Sequence, residues 1–254
     1  MKGSLTKILK EAVYPFAVIA FLLLVWWIAA VISGSEFIVP RPQTAIKSFF
    51  AMLTEAKTYN ALFSTLARSL ISYSVSFLAA LAFAVLSLFY KSAHKLLSPV
   101  VSVCRALPTM AVVLLLIIWT GPKTAPVIVA LLVIFPTLYS LFYESMTNVD
   151  GDVIDMAKID GANRLRLTVS FYIPLSAPMA SRSAAGALSL CIKLTVAAEV
   201  LASTAGSLGA MMQTYRVYFE TARLMALTTL TVIVSLLLEA LFYRLLKLSF
   251  KNWV

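Results

Sequence analysis

The groups through which this chain could do chemistry are few, and their spacing rules out most catalysis. His94 is the single histidine; it sits in a basic stretch with no Cys or His at metal-ligand spacing, and no Ser/His/Asp set can be assembled around it. Gly121-Pro122-Lys123-Thr124 ends like a phosphate-binding loop, but the glycine five residues upstream is missing and a proline stands between glycine and lysine, so it reads as a turn. Cys104 and Cys191 lie inside apolar runs and read as packing residues. No catalytic residue, metal or cofactor is therefore expected in this chain, and it is not read as an enzyme. What remains is the chemistry of contact and charge. It is concentrated in Asp150–Pro174, DGDVIDMAKIDGANRLRLTVSFYIP, and in the ionisable residues Arg182, Lys193, Glu199 and Glu239, which fall inside apolar runs.

The stretch 150–174 carries its own punctuation. A carboxylate at Asp150 or Asp152 can cap free N–H groups and meet the positive end of a helix dipole, and Gly161 can close that helix in the left-handed conformation. Asn163 is a second capping residue. From it a second short helix puts Leu165 and Val169 on one face, with Arg164 and Arg166 on others. Pro174 opens the next apolar run where a missing N–H costs little. The reading is a polar surface made to touch something.

The elements that must position this surface are apolar. Of 254 residues 61% are hydrophobic and only 13% charged, far from the roughly 45–50% and 25% of soluble chains, which predicts an all-α integral membrane protein. Spans are expected at about 12–35, 65–90, 100–120, 124–144, 172–200 and 223–246, six in all, within a single domain over 1–254. The basic start at Lys2, Lys7 and Lys10 precedes too long an apolar run for a cleaved signal, so the first span is read as retained. Residues 42–60 read as an outer amphipathic helix, with Ile46, Phe49, Phe50 and Leu53 opposite Lys47, Glu55 and Lys57. With the N-terminus cytoplasmic, the inner side receives the larger share of basic residues, among them Lys91, Lys95, Lys158, Arg164, Arg166, Arg244, Lys247 and Lys251. That places both termini and loop 145–171 in the cytoplasm. The formal charge of +10 then reflects topology and lipid contact, not nucleic acid.

The loop also carries a family resemblance. The membrane subunits of bacterial ABC importers have a cytoplasmic motif written E-A-A, three residues, G, nine residues, I-x-L-P. This chain resembles it through Asp155-Met156-Ala157, then Gly161, then Phe171, Ile173 and Pro174 at the same spacing; Ala157, Gly161 and Pro174 match outright. Phe37 to Pro42 resembles the entry to the outer helix in the nitrate, sulfonate and taurine branch. Arg105-Ala106-Leu107-Pro108, Trp119-Thr120-Gly121 and Ala198-Glu199 are similar to further motifs of that branch, and the resemblance covers about residues 36–210.

The resemblance implies a type I ABC importer permease fold with a coupling helix between spans 4 and 5. It implies ATPase-coupling roles for Asp155, Met156, Ala157, Gly161, Ile173 and Pro174. The implied partners are a second permease subunit (a homodimer), two cytoplasmic ATPase subunits that bind the ATP and Mg, and an extracytoplasmic binding protein, in the bacterial inner membrane. The implied solute is a small organic anion or a vitamin precursor. The alternative class is an ion-coupled secondary transporter, which would need buried acids or an inverted repeat.

Charges within spans are functional candidates, since each costs about 2.5–3.5 kcal/mol on insertion scales. Arg182 lies about 12 Å along the helix from Pro174 and is expected to snorkel to the inner headgroups. Lys193 and Glu199 are candidates for the transport path, for an indirect pair, or for the outer interface. Glu239 is expected to answer Arg244 or Lys247. Small residues crowd the fifth span and make it the candidate lining of a dimer axis along which the substrate passes, with Gly186 and Ser189 as candidate substrate-pathway residues beside Lys193 and Glu199.

Overall fold

The computed structural model describes residues 2–249, with side chains at 14, 17, 18 and from 20 onward. The side chains of Lys2, Lys7 and Lys10, and all of Lys251, lie outside the described residues. The described chain is helical throughout: α1 (Lys2–Ser33), α2 (Pro42–Met52), α3 (Ala56–Phe89), α4 (Lys91–Ala106), α5 (Thr109–Thr120), α6 (Ala125–Thr147), α7 (Gly151–Ile159), α8 (Arg164–Leu167), a π-helical turn (Thr168–Tyr172), α9 (Ile173–Ala202), α10 (Leu208–Val217) and α11 (Thr221–Ser249). Among the described residues four helices are long and apolar enough to cross a membrane, or five if α4 and α5 form one bent span. An apolar stretch, Ala20–Ser33, lies in α1.

Three expected boundaries shift, the third for an identifiable reason. The amphipathic helix ends at Met52, not near 60; a turn at residues 53–55 follows and α3 starts at Ala56, well before the expected 65. Ala45 and Met52 are the buried face of α2, while Ile46 and Phe50 stay exposed. The third expected span is not one straight helix. Pro108 has no N–H and disfavours a helical residue before it, so Leu107 turns extended (φ −64°, ψ 128°) and α4 and α5 meet at 96°.

Within the expected domain the chain divides into two compact units, Met1–Tyr59 with Met212–Leu230, and Asn60–Met211 with Thr231–Val254. In the first, Trp26 Nε1 donates to the Pro40 carbonyl (3.0 Å) and Thr221 Oγ1 to that of Phe37. Arg223 reaches both Glu55 and Glu220.

The second unit is built on α9, which packs along α6. Its core joins Tyr73 of α3, Ile134 and Phe142 of α6, and Ala184, Leu188 and Ile192 of α9. Small and hydroxyl side chains let these helices approach. Thr65, Ser69, Ser72 and Ser76 form one fully buried stripe of α3, spaced four, three and four residues apart. Ser72 donates to Val127 O of α6 (3.1 Å), and Tyr73 Oη to Ala184 O of α9 (2.7 Å), so hydroxyls tie the helices where lipid offers no water. Exposed Leu, Ile, Phe and Val elsewhere on these helices are the expected complement of a lipid surface.

Candidate functional site

The loop between α6 and α9 forms from the capping residues its sequence contains. Asp150 Oδ1 accepts from Asp152 N (3.0 Å) and opens α7. At the far end Gly161 takes φ +78°, Gly161 N donates to Lys158 O and Ala162 N to Ala157 O, both at 3.0 Å. That pair of bonds is the glycine-closed helix end in which the backbone must pass through the left-handed region. Asn163 Oδ1 then accepts from Arg166 N (2.9 Å) and opens α8.

From Arg164 the helical path does not stop before the membrane run. It continues through the π-helical turn into α9, 39 residues in all, where a separate short helix and span were expected. The five-residue turn lets Ile173 N bond back to Thr168 O. Pro174 and its missing N–H therefore fall in the first turn of α9 without breaking the rod. α8 and the α9 end bearing Ile173 and Pro174 are thus parts of one continuous helical path.

Ala157 faces inward, into the loop's own cluster. It is 4% exposed and packs with Ile154 and Leu167 against Phe89, Val149, Phe171 and Tyr172, which makes the loop a small rigid body. The outward apolar surface of α7 is Val153, Met156 and Ile159 at three-residue spacing, with Ile159 85% exposed; Leu165 and Val169 add to the exposed apolar surface of the loop. Asp155 is also exposed and holds Lys158 Nζ at 2.7 Å, a hydrogen bond that raises the lysine pKa above its ordinary value.

On α9, Met179, Ser183, Gly186, Leu190, Lys193 and Ala197 recur at three- and four-residue spacing as a stripe that is open except at the half-buried Gly186. Lys193 is exposed on it, and so is Arg182 close by; neither, nor Arg105 of α4, has a carboxylate partner among the described residues. Ser189 turns the other way: it is buried, and its hydroxyl has no protein partner. A Cβ at Gly186 would lie 3.9 Å from Glu239 Oε1. Glu239 thus approaches α9, and no ion pair joins it to Arg244 or Lys247.

Glu199, for which path, indirect pair and outer interface were the alternatives, lies inside the helix packing. It is fully buried, and its Oε1 accepts from Arg68 Nε at 2.7 Å, a partner in α3 whose side chain is 17% exposed. Its Oε2 accepts from Thr65 Oγ1 (2.8 Å) and Gly209 N (3.3 Å), while Thr65 Oγ1 accepts from Leu208 N (3.0 Å). A buried carboxylate is sustained because a cation, the Thr65 hydroxyl and the Gly209 N–H in the first turn of α10 all donate to it. Gly209 is required for the contact, since a Cβ there would come within 2.3 Å of Glu199 Cβ. Arg68, Thr65 and Gly209 were not singled out from sequence; the spacing of Thr65 with Ser69, Ser72 and Ser76 was the available signal. His94 is half-buried against α6. Its Nδ1 lies 3.1 Å from Tyr139 Oη, which is 2.9 Å from Ser87 Oγ, and its ring stacks on Tyr143 at 4.1 Å.

Residues 76–252 match the family described as the binding-protein-dependent transport system inner membrane component. The riboflavin transport system permease protein RibX of Chloroflexus aurantiacus is 31% identical over 88% of this chain and 87% of its own length. The taurine transport system permease protein TauC of Escherichia coli is 24% identical over 91% of this chain and 86% of its own. Among solved structures, a chain of a bacterial alginate ABC transporter in complex with its alginate-loaded periplasmic protein superposes with a TM-score of 0.67 at 13% identity, over 96% of this chain and 98% of that one. That last likeness carries the fold alone.

Proposed function

The chain belongs to the binding-protein-dependent transport system inner membrane component family, ABC transporter permeases that cross the membrane several times, and from that premise we propose that it forms the translocation path of an ATP-driven importer for a small organic anion, with a vitamin precursor as the second solute class. It works as a pair of identical subunits, with two cytoplasmic ATPase subunits seated on α7 and an extracytoplasmic binding protein delivering the solute. ATP and Mg are held by the ATPase subunits. The observation that carries the reading is the exposed apolar face Val153, Met156 and Ile159 on a loop packed rigidly around Ala157 and continuous with α9. An apolar face on an otherwise charged loop is matched by a protein partner. The anionic solute is supported by Arg105, Arg182 and Lys193, exposed cations of the apolar helices without carboxylate partners among the described residues. The relatives' transport of taurine and riboflavin agrees with both solute classes.

An ion-coupled carrier is the competing class, and the half-buried carboxylate of Glu239 beside Gly186 is the one observation that favours it. Two variants separate the possibilities. Ile159→Glu leaves the packed side of α7 alone and is expected to abolish co-purification of the ATPase in mild detergent. Ala157→Glu buries a charge in the loop's own cluster and is expected to lower the thermal midpoint of the permease itself. Wild-type ATPase recovery and ATP-dependent vesicle uptake with Ile159→Glu would remove α7 as the docking face; uptake driven by an ion gradient without ATP would establish the carrier.

A further inference from the structure

α3 and α4 are separated by a single residue. Phe89 ends α3, Tyr90 turns extended (φ −127°, ψ 100°), and Lys91 starts α4. The loop grips this break from both sides. Phe89 packs beside the cluster of Ile154, Ala157 and Leu167 and meets Tyr172 edge-on, with ring centroids 6.0 Å apart. On the other side Arg164, the first residue of α8, donates from Nη1 to Tyr90 Oη at 2.6 Å, with its guanidinium 4.9 Å from the Tyr90 ring and 5.9 Å from that of Phe89. One cation thus holds both residues of the break through a charge-assisted hydrogen bond and two ring faces. Beyond the break α4 is tied to α6: His94 reaches Tyr139, and Arg105 Nη2 donates to Pro136 O at 3.3 Å.

We infer that the Phe89–Tyr90 break is a mechanical joint, and that Arg164 is a positioning residue which makes α4 follow the loop when the loop moves. The inference rests on the reading of residues 150–174 as the ATPase contact. Without Arg164 the loop would still drive α9 through the continuous rod, but α4 would no longer be carried with it. ATP would then be spent without a concerted change of the path. Arg164 lies off the Val153, Met156 and Ile159 face, so its loss leaves docking intact.

The test uses the full transporter, permease with its ATPase and binding protein, in proteoliposomes. Arg164→Ala is expected to keep the ATPase-to-permease ratio of wild type and to raise the ATP hydrolysed per solute imported about three- to tenfold, the scale of one exposed cation–π and hydrogen-bonded contact. Tyr90→Phe, which keeps the ring and loses the hydroxyl, should give a smaller rise, and Arg164→Lys should recover part of the coupling. A spin label at Ser98 of α4 should respond to ATP in wild type and respond less in Arg164→Ala, a readout that a merely structural contact would not move. Unchanged coupling in both Arg164→Ala and Tyr90→Phe overturns the joint while leaving the docking face standing. Loss of the ATPase from Arg164→Ala alone overturns it too, because Arg164 would then be a docking residue. Failure of wild-type permease to hold any ATPase instead removes the reading on which the joint depends.

Discussion

Glu199 shows how a residue type can be legible while its role is not. An acid near the end of an apolar run is a functional candidate on cost alone, yet its cation is Arg68, separated by 131 positions in sequence. Asp150, Gly161 and Asn163 differ because a cap acts within three or four residues of itself, so each is found where its spacing predicts. Removing one partner of a buried ion pair costs on the order of 3–5 kcal/mol, whereas replacing both by apolar groups of similar volume is often neutral. Glu199→Gln is therefore expected to lower the thermal midpoint in detergent sharply, and Arg68→Met combined with Glu199→Met to recover much of the loss. Gly209→Ala should resemble the single variant, because its Cβ would collide with Glu199. Additive losses in the double variant would mean the two side chains do not form a unit.

Among the elements, α9 was legible as a small-residue helix, but which of its faces stays open was not. Small residues permit close contact on any side, and the choice is made by α6 and α3: Ala184, Leu188, Cys191 and Ile192 are buried against them, leaving the stripe through Gly186 and Lys193 open. That choice keeps Lys193 as a path candidate and sends Ser189 and Glu199 inward. The bend between α4 and α5 has a plainer origin, since Pro108 marks a possible break in the sequence and only packing decides its size. For Lys193 the expectation is specific. If it attracts an anionic solute, Lys193→Met should raise the Michaelis constant for uptake several-fold with little change in assembly or thermal midpoint, and Lys193→Arg should be milder. Unchanged uptake kinetics in Lys193→Met would leave the lysine a lipid-headgroup anchor.

For the molecule as a whole, the second unit taken by itself carries an expectation of sidedness. One of its ends carries Lys123 in the turn before α6, close to where Thr204 Oγ1 donates to Pro122 O at 2.7 Å. The other carries Tyr90, α7 and α8, with Lys91, Lys95, Lys158, Arg164 and Arg166. α6 joins the two ends with 23 residues, which at 1.5 Å each is about 35 Å, enough for a hydrocarbon core of about 30 Å. The end richer in basic residues is the one that the positive-inside rule retains in the cytoplasm. In a background with Cys104 and Cys191 replaced by serine, a cysteine at Lys123 should react with an impermeant thiol reagent added to intact cells. One at Arg166 should react only in inside-out vesicles; Arg166 is chosen because it is exposed and Asn163 is needed as a cap. Labelling of Arg166→Cys from outside, with Lys123→Cys protected, would place the apolar face of α7 on the wrong side of the membrane for any cytoplasmic ATPase, and the proposed importer would fail with it.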